Sequence, residues 1–149
     1  MDLILWRHAE AEDGLDDARR RLTAKGHRQA AVMAKWLHEY LPKHCVVVAS
    51  PAVRTRETAA ALVSEFETSD GVGLNADPAS VLHAAGWPRA THPVVIVGHQ
   101  PTLGRTAAQF MTGKPLPWSV RKGSIVWIVR RGSENVLRAV LAPEMIRVP

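Results

Sequence analysis

Residues that are costly to bury follow apolar runs at several points in the sequence. Arginine and histidine both lose hydration when they are buried, so their repeated position after such runs indicates a shared purpose. The residues are Arg7 and His8 after LILW, Arg54 shortly after VVVA, and His99 after VVIVG. Brought together, these cationic and imidazole side chains would form a pocket for a compact dianion, for which phosphate is the obvious candidate.

These side-chain types are suited to phosphoryl transfer. The planar guanidinium of arginine can bind two phosphate oxygens at once. A neutral imidazole held in line with phosphorus can act as the nucleophile and form a covalent phosphohistidine. A second imidazole, once protonated beside the dianion, adds positive charge where the transition state gathers negative charge.

The apolar runs alternate with helical patterns that could position these residues. The predicted strands are residues 3–6, 46–49, 72–74 and 94–98, followed by a hairpin of residues 124–130 and 136–142 around residues 132–135. The first predicted helix covers residues 23–41, with Thr23 as its N-cap. The second begins at Ser50 and Pro51 and buries Ala59, Leu62, Val63 and Phe66. A short third helix covers residues 78–85, and the fourth starts at Pro101 and buries Leu103, Ala107, Phe110 and Met111.

This alternation predicts an α/β fold, a three-layer α/β/α sandwich with a mostly parallel central sheet and helices on both faces. In open sheets of this kind, ligands bind at the carboxyl ends of the strands, where helix N-termini also direct their free N–H groups. We therefore expect Arg7, His8, Arg54 and His99 to lie at one edge of the sheet.

Composition limits the class of protein. A chain of 149 residues is expected to form one domain, and its formal charge of +5 favours anionic partners. No apolar stretch approaches the roughly 18 residues needed to cross a bilayer, so we expect a cytoplasmic protein without membrane contact. The single Cys45 is expected to be a small buried hydrophobe without a catalytic role.

Three segments resemble the signatures of a known family. RHAEAE, SPAVRTRETA and VIVGHQPTLG look like those of the histidine phosphatase superfamily, the phosphoglycerate mutase-like proteins. The short length, LTAKGHRQAAVMAKWL and KGSIVWIV are similar to its small branch, the SixA-type phosphohistidine phosphatases. The resemblance covers nearly the whole chain, and so it implies a single histidine phosphatase domain over residues 1–149 with a phosphoglycerate mutase-like fold.

The resemblance also implies roles for the residues at the predicted edge. His8 would be the phosphate-accepting nucleophile, and Arg7, Arg54 and His99 would form the phosphate pocket. Neither a metal ion nor an organic cofactor is implied. In one respect the sequence departs from the pattern, because Ala9 stands where the family usually has the glycine of its RHG motif.

A proton donor for the leaving group is harder to identify. Asp17 is the preferred acid or substrate-positioning residue, because the resemblance implies a polar neighbour of the phosphate near this position. Asp77 is the alternative, since larger members of the superfamily take their acid from the segment after the SPxxR helix. Glu10, in the loop that follows His8, is a third candidate.

The substrate class follows from spacing and leaving-group chemistry. Between positions 54 and 99 the chain must supply two helices and two strands, which leaves little for a lid. An open pocket suits a phosphate that projects from a protein surface. Imidazole leaves as a weak base, with a conjugate-acid pKa of roughly 6.5, whereas an alkoxide needs a well-placed acid. The sequence therefore favours hydrolysis of the P–N bond of phosphohistidine on a protein.

Three other readings use the same residues. A small-molecule phosphomonoesterase or phosphoglycerate mutase-like enzyme would use the same pocket, with a donor carboxylate and an enclosing insertion that are not evident. A non-enzymatic module that binds anions or nucleic acid is disfavoured, because the basic residues are scattered without an aromatic ladder. A metal site could be built from His8, Glu10, Glu12 and His99. The neighbouring arginines would repel a cation, which disfavours it.

The sequence also leads to expectations for a run of three arginines and for the tryptophans. Arg19, Arg20 and Arg21 are expected to form a solvated patch near the mouth of the pocket that receives an acidic partner. The tryptophans divide into Trp6, Trp36 and Trp127 in the core and Trp87 and Trp118 as surface contacts beside prolines.

Overall fold

The computed structural model describes residues 1–147. Helices and strands alternate along most of this length. The strands are β1 (Asp2–Arg7), β2 (Val46–Ala49), β3 (Glu67–Thr68), β4 (Val94–Gly98), β5 (Ile125–Arg131) and β6 (Glu134–Leu141). The helices are α1 (Ala24–Tyr40), α2 (Val53–Leu62), α3 (Pro78–Ala84) and α4 (Thr102–Thr112). Among the helices of residues 1–147, none combines the length and the apolar character that a bilayer crossing requires.

The strands form one sheet in the order β3-β2-β4-β1-β5-β6. The pairs β1–β4, β2–β4 and β2–β3 are parallel, and the closing strands β5 and β6 add antiparallel pairs at one edge. The sheet is therefore mixed, with β1 and β4 at its centre. The predicted α/β class, a mostly parallel central sheet with helices on both faces, is confirmed.

Alternate residues of β1 point to two separate helical layers. Leu3 and Leu5 pack in a core cluster with side chains from α3 and α4. Ile4 and Trp6 pack on the other face with side chains from α1 and α2. All four side chains are fully buried, so the centre of β1 is apolar on both faces, as expected for a strand that helices cover on both sides.

Helix α1 begins where the sequence pattern predicts. The Thr23 hydroxyl caps it by accepting a hydrogen bond from the Gly26 N–H at 2.9 Å. The first turn lies directly against the loop after β1, because a Cβ built at position 26 would overlap the carbonyl of Glu10. This close contact holds α1 beside the carboxyl end of β1.

The predicted strand at residues 72–74 is wrong. The short strand β3 occurs earlier, at Glu67–Thr68, and Val72 ends a 3-10 turn, Asp70–Val72. The Ser69 hydroxyl accepts a hydrogen bond from the Gly71 N–H and so favours the turn over a strand. Val72 is apolar because it is buried in the core beneath α3 and α4, not because it pairs with a neighbouring strand.

The predicted start of the second helix at Ser50 and Pro51 is also wrong. Helix α2 begins at Val53, and no side chain caps its N-terminus. It ends at Leu62, so Val63 and Phe66 pack against the core from the following segment. Pro101 is the residue before α4, not its first helical residue.

The tryptophans mostly support the sheet. Trp6 and Trp127 are buried, and Trp36 packs edge-on against Trp127. Trp87 is only partly buried, and its ring packs edge-on against Phe110, with centroids 4.7 Å apart, at the rim of the core. Trp118 is 41% exposed.

Replacing Gly26 by alanine should destabilise the fold. The added methyl group would overlap the Glu10 carbonyl, and we expect the free energy of unfolding to fall by about 1–3 kcal/mol despite the better helix propensity of alanine. Urea denaturation measures this change. The control is Gly14→Ala, whose Cβ would make only ordinary contact with Arg20. A Gly26→Ala protein as stable as the wild type would contradict the close packing.

Candidate active site

The register of the three central parallel strands brings three polar residues side by side. Each residue directly follows its strand: His8 follows β1, Ser50 follows β2 and His99 follows β4. Backbone hydrogen bonds extend the pairing by one residue, since the His8 N–H donates to the Gly98 carbonyl and the Ser50 N–H to the Val97 carbonyl, each at 3.0 Å. All three side chains are buried at the carboxyl edge of the sheet.

His8 has one ring nitrogen fixed and the other available. Its Nδ1 lies 2.7 Å from the carbonyl oxygen of Ala9. A carbonyl only accepts hydrogen bonds, so Nδ1 carries the proton and the lone pair lies on Nε2. Burial lowers the pKa of His8 to about 3, with the charges of Arg54 and Arg7 acting in the same direction. The ring is therefore neutral at neutral pH, as a nucleophilic imidazole must be.

His99 lies next to His8, with ring centroids 5.4 Å apart. Its Nδ1 is 3.5 Å from Nη2 of Arg54, which can only donate. The proton of His99 therefore lies on Nε2, which donates to the Ser50 hydroxyl at 2.7 Å. Burial lowers the pKa of His99 to about 4, and Arg54 adds to this effect.

Ser50 is a residue of the site that sequence reasoning missed. It was assigned to a helix cap, whereas its hydroxyl fixes the orientation of His99. The sequence did indicate that Ser50 belongs to the site, because Ser50 directly follows an apolar strand, as His8 and His99 do.

Arg54 is buried and held by the loop that carries Asp17. Its Nη1 donates to the Asp17 carbonyl at 2.6 Å, and its Nη2 donates to Oδ2 of the Asp17 carboxylate at 3.0 Å. The other carboxylate oxygen accepts from Nε of Arg20 at 3.1 Å. The hydrogen bond from Arg54 holds the pKa of Asp17 below its usual range, so the carboxylate remains ionised.

Arg7 and Arg54 each have a buried N–H group that donates no hydrogen bond to the described part of the chain. Arg7 donates from Nη1 to the Val120 carbonyl at 2.9 Å, and burial lowers its pKa. Within residues 1–147, Nε of Arg7 and Nε of Arg54 are buried without a hydrogen-bond partner. Buried unpaired donors are costly, and their occurrence on two neighbouring guanidinium groups is typical of an oxyanion site.

Thr58 ties the loop after β1 to helix α2. Its hydroxyl accepts from the Ala9 N–H at 3.1 Å and donates to the Arg54 carbonyl at 2.8 Å. Ala9 itself is buried against Leu22 and Ala30. No residue other than glycine has a positive φ within residues 1–147, so alanine fits the backbone at the position of the family's usual glycine.

The other two candidate acids, Glu10 and Asp77, are engaged in hydrogen bonds outside the group formed by His8, Arg54 and His99. Glu10 turns toward α1, where its Oε2 accepts from the Thr23 hydroxyl at 2.7 Å. Asp77 caps α3 by accepting from the Ser80 N–H at 2.8 Å, and none of its hydrogen bonds in the described residues reaches the histidines or arginines of the edge. Hydrogen bonds and ring packing thus join His8, Arg54, His99 and Asp17, and the charge of Arg7 acts on both histidines, whereas the Asp77 carboxylate is engaged in capping α3.

The metal alternative requires its carboxylates to converge on the histidines. Glu10 is engaged with Thr23 and Glu12 is exposed. Across residues 1–147, no group of three or more histidine, cysteine, aspartate or glutamate side chains could hold a metal ion. Cys45 lies away from the site and is only partly buried, and this burial raises the pKa of its thiol.

Comparisons with known proteins agree with this arrangement. The sequence profile of the histidine phosphatase superfamily (branch 1) matches residues 3–74, a span that contains Arg7, His8 and Arg54. A phosphohistidine phosphatase SixA homolog from Haemophilus influenzae is 27% identical, covering 91% of this chain and 92% of that protein. An uncharacterised protein from Picosynechococcus is 32% identical over 76% of this chain and 75% of its own length.

Solved structures share the fold over nearly the full length. A putative phosphohistidine phosphatase SixA from Nakamurella multipartitia has a TM-score of 0.81 at 27% identity and covers 95% of both chains. A phosphoserine phosphatase from Entamoeba histolytica has a TM-score of 0.74 at 17% identity, covering 98% of this chain and 99% of that chain, and shows the fold alone.

The α/β fold, the paired histidines after its central parallel strands and the match to the family profile together define a phosphatase of the phosphoglycerate mutase-like class. The chain belongs to the histidine phosphatase superfamily, in its small SixA-type branch.

The lowered histidine pKa values predict that acid destabilises the protein. As pH falls from about 6.5 toward these values, the unfolded chain binds protons that the folded His8 and His99 do not, so the free energy of unfolding decreases. One such group contributes a slope of up to about 1.4 kcal/mol per pH unit. Urea denaturation at several pH values should therefore show a shallower slope for His8→Asn/His99→Asn than for the wild type.

The matched control is His83→Asn/His92→Asn, which replaces two exposed histidines and should keep the wild-type slope. Asp17 is present in all three proteins, so its own loss of stabilisation at lower pH cancels. Equal slopes for the wild type and the His8/His99 variant would contradict the neutral, buried state of these rings.

Proposed function

We propose that this protein hydrolyses phosphohistidine on other proteins, through a covalent phosphohistidine formed on its own His8. One observation carries the proposal: the buried neutral ring of His8, with a free lone pair on Nε2, lies beside His99 and Arg54. A nucleophile and groups able to hold the phosphoryl oxygens are thus next to each other. Cytoplasmic phosphoproteins are the proposed substrates.

The first chemical step transfers the phosphoryl group to the enzyme. The lone pair on Nε2 of His8 forms a bond to phosphorus while the bond from phosphorus to the substrate ring breaks. The substrate ring carries a proton on its other nitrogen, so it keeps the electron pair of the broken bond and leaves as neutral imidazole. Arg7, Arg54 and His99 are the proposed partners of the phosphoryl oxygens. The dianion raises the proton affinity of His99, so this ring becomes a charged donor when substrate binds.

The second step returns the enzyme to its starting state. Water attacks phosphorus, the bond to Nε2 of His8 breaks, and its electron pair returns to the ring. Inorganic phosphate leaves, and the proton lost by the attacking water passes to phosphate or solvent. The Nδ1–H of His8 stays on the Ala9 carbonyl throughout, which keeps Nε2 directed at phosphorus in both steps.

The lack of a placed acid favours P–N over P–O cleavage. Asp17 is held as a carboxylate by Arg54 and Arg20, Glu10 is engaged with Thr23, and Asp77 caps α3. A leaving imidazole needs little protonation because its conjugate acid has a pKa of roughly 6.5, whereas an alkoxide needs an acid. We therefore assign Asp17 to positioning Arg54 and not to proton donation.

Relatives support the same substrate class. The Haemophilus influenzae and Nakamurella multipartitia relatives are described as SixA proteins, the second as a putative phosphohistidine phosphatase. A SixA structure with tungstate, an oxyanion, has a TM-score of 0.79 at 22% identity. The second candidate function is hydrolysis of small phosphomonoesters, because the Entamoeba histolytica phosphoserine phosphatase has the same fold.

Incubation with a labelled phosphohistidyl protein tests the nucleophile. The wild type should release phosphate and accumulate a trapped, acid-labile phosphoenzyme, and His8→Ala should do neither. His92→Ala, which removes an exposed histidine outside the site, should behave as the wild type. Phosphoserine and phosphoglycerate serve as competing substrates. Turnover undiminished by His8→Ala would overturn the assignment, and efficient turnover of the small phosphomonoesters alone would favour the second candidate.

The positioning role of Asp17 has its own test. If Asp17 were the acid, Asp17→Asn would slow an alkyl phosphate far more than an aryl phosphate, because only the alkoxide needs a proton. We expect kcat/KM for both esters to fall by the same factor, on the order of tenfold or less, since the carbonyl contact to Arg54 remains. Steady-state kinetics measures the ratio, and a selective loss on the alkyl ester would identify Asp17 as the acid.

A further inference from the structure

A second cavity adjoins the phosphate pocket on the side of Arg7. It has a volume of about 760 Å³ and lies between the first turns of α1, residues 119–122 and the turn at Pro143–Met145. Its cationic lining residues are Arg7, Lys25, Arg28, Arg121 and Lys122, and its carboxylates are Glu10 and Glu144. We call this cavity the basic groove.

The positive charge of the basic groove is largely uncompensated. Lys25, Arg28 and Lys122 are exposed, and none of them forms an ion pair with any residue in the described part of the chain. Glu10 is engaged with the Thr23 hydroxyl. Glu144 is 4.0 Å from Arg121 at the outer rim, where both side chains are mostly exposed and the pair contributes little.

Arg7 connects the groove to the phosphate pocket. Its guanidinium lines the groove, while its backbone immediately precedes His8. The other rim of the pocket has no such excess of positive charge, because the loop that holds Arg54 carries Glu12, Asp13 and Asp16 as well as basic residues. An acidic partner is therefore attracted more strongly to the Arg7 side of His8 than to the other side.

We propose that the basic groove binds an acidic polypeptide segment that flanks the phosphohistidine of the substrate protein; this inference rests on the proposed function. The groove is much larger than a phosphate, and it continues from the residue that precedes the nucleophile. Val32 and Pro143 add apolar surface suited to a peptide. Among residues 1–147, no aromatic side chain lines the groove, so a nucleic acid base would have no ring on which to stack.

The groove is better suited to this role than the Arg19–Arg21 patch expected from the sequence. Arg19 lies 3.4 Å from an Asp16 oxygen, and Arg20 lies 3.1 Å from an Asp17 oxygen. Their charges are offset within the same turn. By contrast, Lys25, Arg28 and Lys122 of the groove form no ion pair in the described part of the chain, so they remain available to bind an acidic partner.

The test compares two phosphohistidyl peptides that differ only in their flanking residues, glutamate in one and glutamine in the other. The wild type should prefer the glutamate peptide by about tenfold in kcat/KM, mainly through KM, and the preference should shrink as salt is added. Lys25→Gln/Arg28→Gln/Lys122→Gln should lose the preference. Its kcat for an aryl phosphate should stay within about twofold of the wild type, because the three residues lie outside the catalytic machinery.

The control variant is Lys43→Gln/Arg89→Gln/Arg131→Gln, which removes the same charge from exposed positions outside the groove and should keep the preference. Equal use of the two peptides by the wild type would overturn the inference while leaving the proposed function intact. A preference that survives in the groove variant would do the same.

Binding of the unphosphorylated glutamate peptide separates the two proposals. Fluorescence anisotropy should show that it binds the wild type and the control variant but not the groove variant. This result without hydrolysis of any phosphohistidyl peptide would refute the proposed function and support the groove. A single-stranded DNA of matched charge that binds the groove more tightly than the peptide would overturn the assignment of an acidic polypeptide.

Discussion

The parallel pairing of β2, β4 and β1 is the constraint on which the site depends. Two backbone hydrogen bonds beyond the strand ends, from His8 to Gly98 and from Ser50 to Val97, place the residue after each strand beside its neighbours. A slip of one residue would turn either histidine toward a helical layer. The buried apolar faces of β1 fix the register, so the packing of the core determines the geometry of the site.

The electrostatic design follows from that placement. Two imidazoles are buried beside two arginines, and burial keeps both rings neutral, which prevents the pocket from accumulating further positive charge. A bound dianion reverses the balance, because it neutralises the arginines and favours a proton on His99. Arg54 and the Ala9 carbonyl fix which nitrogen of His99 and of His8 is protonated, so the two histidines remain chemically distinct although they have similar surroundings.

The sequence predicts the parts of the site that depend on periodicity and position after a strand. His8, His99 and the arginines were found because strand ends in a parallel sheet converge, and Thr23 was found because caps have a local signature. The predictions for Ser50 and for a strand at residues 72–74 are wrong, because the contacts that account for the Ser50 hydroxyl and for the apolar Val72 are not local. The Ser50 hydroxyl orients a ring 49 positions away, and Val72 is apolar because of packing against distant helices.

The hydrogen bonds between Arg54 and Asp17 have a consequence for the release of a bound anion. An anion that binds both Nη groups of Arg54 competes for their N–H donors with the carbonyl and the carboxylate of Asp17, and this half-exposed carboxylate stays tethered nearby. Its effective concentration at Arg54 is high. In the proposed reaction, this tethered carboxylate would therefore shorten the time for which inorganic phosphate stays bound after hydrolysis.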